Sequence, residues 1–182
     1  MANYVGYCIT PRVCSEHIAK VTAPAGGLVA GQVVYVEELD ATIPGNYEVF
    51  VATQPATAGL ASRHLAMVIN GGFETLSDGR RPAGQPDYTQ YTYAEGENVP
   101  VVFLDEHLTF LVSPDSVSGG TSASPASDIG KVIIPANGTY TAAVNASNSG
   151  VGNSLKIVGT YYLPLGGNFG GNFAQVYVCV AQ

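Results

Sequence analysis

Residues 99–112 read VPVVFLDEHLTFLV: two short runs of valine, leucine and phenylalanine on either side of Asp105, Glu106 and His107. β-Branched and aromatic side chains favour a pleated backbone, and a polar tripeptide between two such runs supplies a turn, so this spacing predicts a β-hairpin. The same signature recurs outward in both directions. Towards the N-terminus, runs at 17–21, 32–37 and 47–52 are separated by Pro24, Gly26, Gly27, Gly31, Pro44 and Gly45. Towards the C-terminus, runs at 131–134, 139–144, 154–163 and 173–180 are punctuated by Asn137, Gly138, Gly150, Gly166 and Gly167. Such breakers mark turns between strands. The stretch 59–70 is long enough for a short helix, but its β-branched second half ends at Gly71 and Gly72, which favours a strand at 65–70. The expected fold is all-β, a short-stranded barrel or sandwich built as one body or two small lobes, with little or no helix.

The composition agrees. Of 182 residues, 12% are charged and 46% hydrophobic, with 22 Gly, 11 Pro, 11 Tyr and no Trp, a mixture poor in helix formers. A single domain of this length buries roughly 70% of its unfolded surface and needs no metal or disulfide staple. Residues 116–127, SVSGGTSASPAS, have the composition of an exposed loop or linker. They divide the chain into a β-rich main lobe at 1–115 and a C-terminal β-rich segment at 128–182, which belongs to the same domain or to a second.

Seven basic against 14 acidic residues give a net charge of −7, which disfavours direct binding to nucleic acid. The apolar runs fall far short of the ~20 residues that span a bilayer, so no membrane association is expected. Cys8, Cys14 and Cys179 are an odd number in a chain whose start lacks a secretory pattern, so they read as reduced thiols of a protein made in the cytoplasm.

Few constellations suggest chemistry. The sequence has no phosphate-binding Gly-x-x-x-x-Gly-Lys loop, no Gly-x-Ser-x-Gly elbow and no His-Glu-x-x-His helix. The glycine-rich run at 166–171 lacks a neighbouring cation and reads as a loop between strands. Cys8, Cys14, His17 and Cys179 carry the atoms of a zinc site, but the first spacing is wide and Cys179 alternates within a strand as a small apolar residue, so no metal is expected. Asp105, Glu106 and His107 combine carboxylates with an imidazole, yet as consecutive turn residues they splay into water. Glu37, Glu38 and Asp40 read as the exposed end of a strand. No catalytic residue and no cofactor site is expected. The tyrosines are more informative: Tyr88, Tyr91 and Tyr93 share one extended stretch, and Tyr161, Tyr162 and Tyr177 come late in the chain. Tyrosine suits both partner surfaces and strand interiors.

Three phrases, GGLVAGQVVYV at 26–36, YAEGENVPVVFL at 93–104 with 108–117 after it, and DIGKVIIPANGTY at 128–140, resemble the capsid decoration, or cement, proteins of tailed bacteriophages. That resemblance implies a non-enzymatic virion protein on the capsid exterior. It would bridge neighbouring subunits of the major capsid protein and act as a homo-oligomer, a trimer being favoured. On this reading an uncharged N-terminal strand bearing Tyr4, Val5, Tyr7 and Ile9 pairs with the shell, and Tyr88, Tyr91 and Tyr93 add contact area. The alternative is a carbohydrate-binding or other adhesion module on a phage tail or a cell surface.

Overall fold

The computed structural model describes residues 5–6, 18–56, 64–69, 92–106, 108–147, 153–164 and 173–182. Among these the chain forms thirteen strands: β1 (Val5–Gly6), β2 (Ile18–Thr22), β3 (Leu28–Val29), β4 (Val33–Leu39), β5 (Val49–Thr53), β6 (Leu65–Val68), β7 (Thr92–Tyr93), β8 (Asn98–Phe103), β9 (Thr109–Val112), β10 (Val132–Pro135), β11 (Ala142–Asn145), β12 (Leu155–Pro164) and β13 (Phe173–Ala181). Two short 3-10 turns, Pro114–Ser116 and Pro125–Asp128, complete the regular structure, and no described helix is long and apolar enough to cross a membrane. The fold is all-β, as the sequence leads one to expect.

Strands β2, β5, β4, β6 and β8 close into a barrel in that order, with β8 pairing back onto β2. Only β2 and β5 run parallel; the other barrel pairs are antiparallel. A six-stranded sheet of order β1-β9-β13-β12-β10-β11 forms the second layer. The short pair β3-β7 contributes Leu28 and Tyr93 to the barrel core. Gly27 precedes β3 with φ of 75°, and a Cβ there would lie 2.2 Å from the Tyr93 carbonyl oxygen, so this crossing admits only glycine.

Two apolar cores follow from side-chain alternation. Ala19, Val21, Val34, Val36, Ala66, Val68, Val99 and Val101 point into the barrel. On the same strands Val33, Leu65, Met67 and Val102 point outward, where they meet Phe110, Ile133, Leu155, Ile157, Tyr177 and Cys179 from the sheet. The barrel wall of β4, β6 and β8 is therefore covered on both sides, which is why β6 is apolar at every position and buried throughout. By contrast β2 and β5 alternate, and Ile18, Lys20, Val51 and Thr53 face solvent.

Closure of the barrel overturns the hairpin expected at 99–112. β8 uses both its edges within the barrel, pairing with β2 and β6, so none remains for β9. The chain leaves the barrel at Leu104, whose N–H still reaches the Leu65 carbonyl at 2.9 Å, and enters the other layer, where β9 lies between β1 and β13. Adjacent hairpins do form at β10-β11 and β12-β13.

Candidate functional site

The connection between β4 and β5 is a nine-residue loop, Asp40 to Glu48, held by two of its own polar side chains. Asp40 is buried; its carboxylate accepts hydrogen bonds from Thr22 Oγ1 (2.6 Å), Thr42 N (2.9 Å) and Thr42 Oγ1 (2.6 Å). The hydroxyl bonds from Thr22 and Thr42 hold its carboxyl below the ordinary range. Asn46 works from the other end: its Nδ2 donates to the Asp40 carbonyl at 3.0 Å, while its Oδ1 accepts from the N–H groups of Glu48 (3.0 Å) and Val49 (2.9 Å). These bonds occupy the backbone groups that a strand would use, so β5 begins at Val49 and Tyr47 lies in the loop rather than in the strand expected at 47–52. Asp40 likewise departs from the expected exposed strand end, because Thr22 of β2, the parallel partner of β5, supplies a donor that its own surroundings in sequence do not reveal.

A loop so tightly bonded exposes large apolar side chains. Tyr47 is 79% exposed, and Leu39 and Ile43 are 44% and 36% exposed. Beside them Ile18, Ala19, Lys20, Glu48 and Phe50 line an open hollow of about 440 Å³. Lys20 and Glu48, both in its lining, approach to 3.7 Å, and Glu37 and Glu38 are exposed on β4 just before Leu39.

A second exposed apolar group lies on β12. Pairing with β13 shifts register between Ile157 and Gly159, and the bulge leaves Val158 exposed. Further along, Tyr161 and Tyr162 are 50% and 62% exposed. As consecutive strand residues they point to opposite faces.

The most polar interior feature is Asp128, which has no exposed side-chain surface. Its carboxylate accepts from Lys131 Nζ (2.6 Å), Thr121 N (2.9 Å), Thr121 Oγ1 (3.3 Å) and the Tyr177 hydroxyl, the last a very short contact. Burial alone would raise its pKa, but the bonds from Lys131, Tyr177 and Thr121 outweigh it and lower the pKa to about 2. The Tyr177 phenol is pushed up by burial and by this carboxylate. The set fastens the Ser- and Gly-rich stretch to β13. In the same stretch Ser118 bridges to β11, donating to the Ala142 carbonyl (2.8 Å) and accepting from the Val144 N–H (2.9 Å).

Of the residues expected to meet a partner, Val5 pairs through its backbone with Val112 at the sheet edge. Tyr93 lies inside the barrel core, its hydroxyl donating to the Ile69 carbonyl at 2.9 Å. Tyr4, Tyr7, Ile9, Tyr88 and Tyr91 lie outside the described residues, as do Cys8, Cys14, His17, His107 and the glycine run at 166–171. Cys179 is fully buried between the two layers, and burial pushes its thiol pKa up. Asp105 is half-buried and Glu106 exposed just beyond β8. Among the described residues no three His, Cys, Asp or Glu side chains gather as a metal site.

Leu39, Ile43 and Tyr47 were not singled out by the sequence reading. A usable signal was present, because Ile43 and Tyr47 are apolar residues embedded in turn chemistry, Asp40-x-Thr42 and Pro44-Gly45-Asn46, where polar residues are the rule. No family model matches the sequence, and no curated protein or solved structure matches it either.

Proposed function

We propose that this chain is a non-enzymatic structural virion protein that binds the outer surface of an assembled phage capsid and stabilises it by bridging neighbouring major capsid protein subunits. Its working form on this reading is a homo-oligomer, with a trimer favoured. The observation that supports bridging is the presence of exposed apolar side chains on both layers of one doubly packed body: Leu39, Ile43 and Tyr47 on the barrel, and Val158 and Tyr162 on the sheet, with Tyr161 on the opposite face of β12. A clamp needs two contact surfaces held in fixed relation, and tyrosine-centred patches are where binding energy concentrates. Modest affinity per site is enough when many copies cover one shell.

The test is quantitative mass spectrometry of density-purified particles, joined to sedimentation of the purified protein with expanded shells. A copy number close to that of the major capsid protein, with saturable binding to shells, is the expected result. Absence from particles together with failure to co-sediment would remove this reading. The carbohydrate-binding alternative draws on the exposed rings of Tyr47, Tyr161 and Tyr162. It predicts hits on a glycan array at millimolar affinity or better, and an array without them eliminates it.

A further inference from the structure

We infer that the β4-β5 loop is the element that inserts into the partner, and that its counterpart is an apolar cleft on a protein surface rimmed by lysine and arginine. The inference rests on the shell-binding reading and adds which face docks and what chemistry receives it. Three observations converge on it.

Leu39, Ile43 and Tyr47 expose apolar surface along one short stretch of chain, with Tyr47 mostly in solvent at 79%. Isolated exposed apolar residues are ordinary, but one at the end of β4 and two on the short loop that follows, close in sequence to an open hollow lined in part by Ile18 and Phe50, make a patch of the kind that marks an interface. The loop is also fixed in advance. The Asp40 carboxylate and the Asn46 amide together take up three loop N–H and hydroxyl donors and the Val49 N–H at the start of β5, and Asn46 Nδ2 binds the Asp40 carbonyl, so little freedom remains to be lost on docking. A hydrogen-bonded frame that turns its apolar side chains outward, away from two filled cores, is costly to keep unless something covers them.

Charge then selects the occupant. Glu37 and Glu38 are exposed just before Leu39 on β4 and Glu48 ends the loop, whereas Lys20, the basic residue lining the hollow, already lies 3.7 Å from Glu48. Two carboxylates in excess favour a rim of Lys or Arg on the partner and repel anionic lipid. A second copy of this chain would bring the same excess of negative charge against itself. The hollow, lined in part by Ile18 and Phe50, offers the partner a place for one apolar side chain of its own, beside the Lys20–Glu48 pair.

The experiment measures binding of the full chain to expanded shells assembled from the major capsid protein of the source virus and lacking this chain. Ile43→Ser combined with Tyr47→Ser is expected to weaken binding by ~30-fold or more while the chain still folds, and Tyr47→Ser alone, at a side chain 79% exposed, to weaken it with no change in melting temperature. Glu37→Gln with Glu38→Gln should slow association and flatten its salt dependence. If the wild-type chain fails to bind shells, the shell-binding reading falls and this docking assignment falls with it. If the wild type binds and the loop variants bind equally well, the assignment alone is overturned. Sedimentation equilibrium in which the loop variants abolish self-association would make a second copy the occupant, again overturning it. Binding of the wild type to phosphatidylcholine or phosphatidylglycerol vesicles would do the same.

Discussion

Asp128 shows how one buried carboxylate can hold a region of low sequence complexity in place. Lys131 lies three positions along the chain, but Thr121 and Tyr177 lie 7 and 49 positions away, so the constellation was not legible in the sequence. Replacing it by asparagine keeps the volume and forfeits the charge-assisted bonds, and Asp128→Asn should cost about 2–4 kcal/mol in urea unfolding. The pH dependence follows from the lowered pKa. The folded value is about 2, below the ~3.9 of an unfolded aspartate, so the contribution is fully present above the unfolded value and is lost as pH falls through the folded one. The urea midpoint of the wild type should therefore drop steeply between about pH 4 and pH 2, and that of Asp128→Asn less steeply. Asp40, also shifted downward, supplies a residual slope of the same sign. Equal slopes in the two proteins would refute the role given to Asp128.

Strand positions were legible and strand partners were not. The runs read at 17–21, 32–37, 99–104 and 108–112 correspond to β2, β4, β8 and β9 within a residue or two at most boundaries, because β-branched content marks a strand whatever lies beside it. Pairing depends on which edges are free, and local pattern carries no such information: the separation of β8 and β9 into different layers follows from a barrel that closes through β2. Continuous apolarity carries more. Leu65-Ala66-Met67-Val68 lacks any polar position, the mark of a strand covered on both faces, whereas Val49-Phe50-Val51-Ala52-Thr53 lies in a wall open on one side. The difference is measurable. Leu65→Ala, at a fully buried site between the layers, should cost about 2–5 kcal/mol, and Val51→Ala, on the solvent face, about 0.5 kcal/mol or less. Comparable losses at the two sites would contradict the two-sided wall.

Barrel and sheet share one core. Phe110, Ile133, Leu155 and Tyr177 on one layer pack with Val33, Leu65, Met67 and Val102 on the other, so these residues span the chain from before the Ser- and Gly-rich stretch to well after it. The loop between β10 and β11 adds polar ties: the Tyr140 carbonyl accepts from the Val33 N–H at 2.7 Å, the Pro55 carbonyl from the Gly138 N–H at 2.6 Å, and the Ala52 carbonyl from the Tyr140 hydroxyl at 3.2 Å. Neither layer can open without exposing the shared apolar surface to water and breaking these bonds, and that energetic coupling is what makes unfolding cooperative. Heat should accordingly unfold the protein in one transition, with calorimetric and van't Hoff enthalpies equal. Tyrosine fluorescence should agree, since Tyr93 reports on the barrel and Tyr177 on the sheet. Two separated transitions would mean that the layers behave as independent units. The distinction bears on the proposed role, because a clamp carries load between its two contact surfaces only as well as the body between them resists opening. If the loop at Tyr47 and the strand at Tyr161 belong to one cooperative unit, engaging either surface stabilises the scaffold of the other; if they do not, each grips its neighbour alone and the shell gains no bridge.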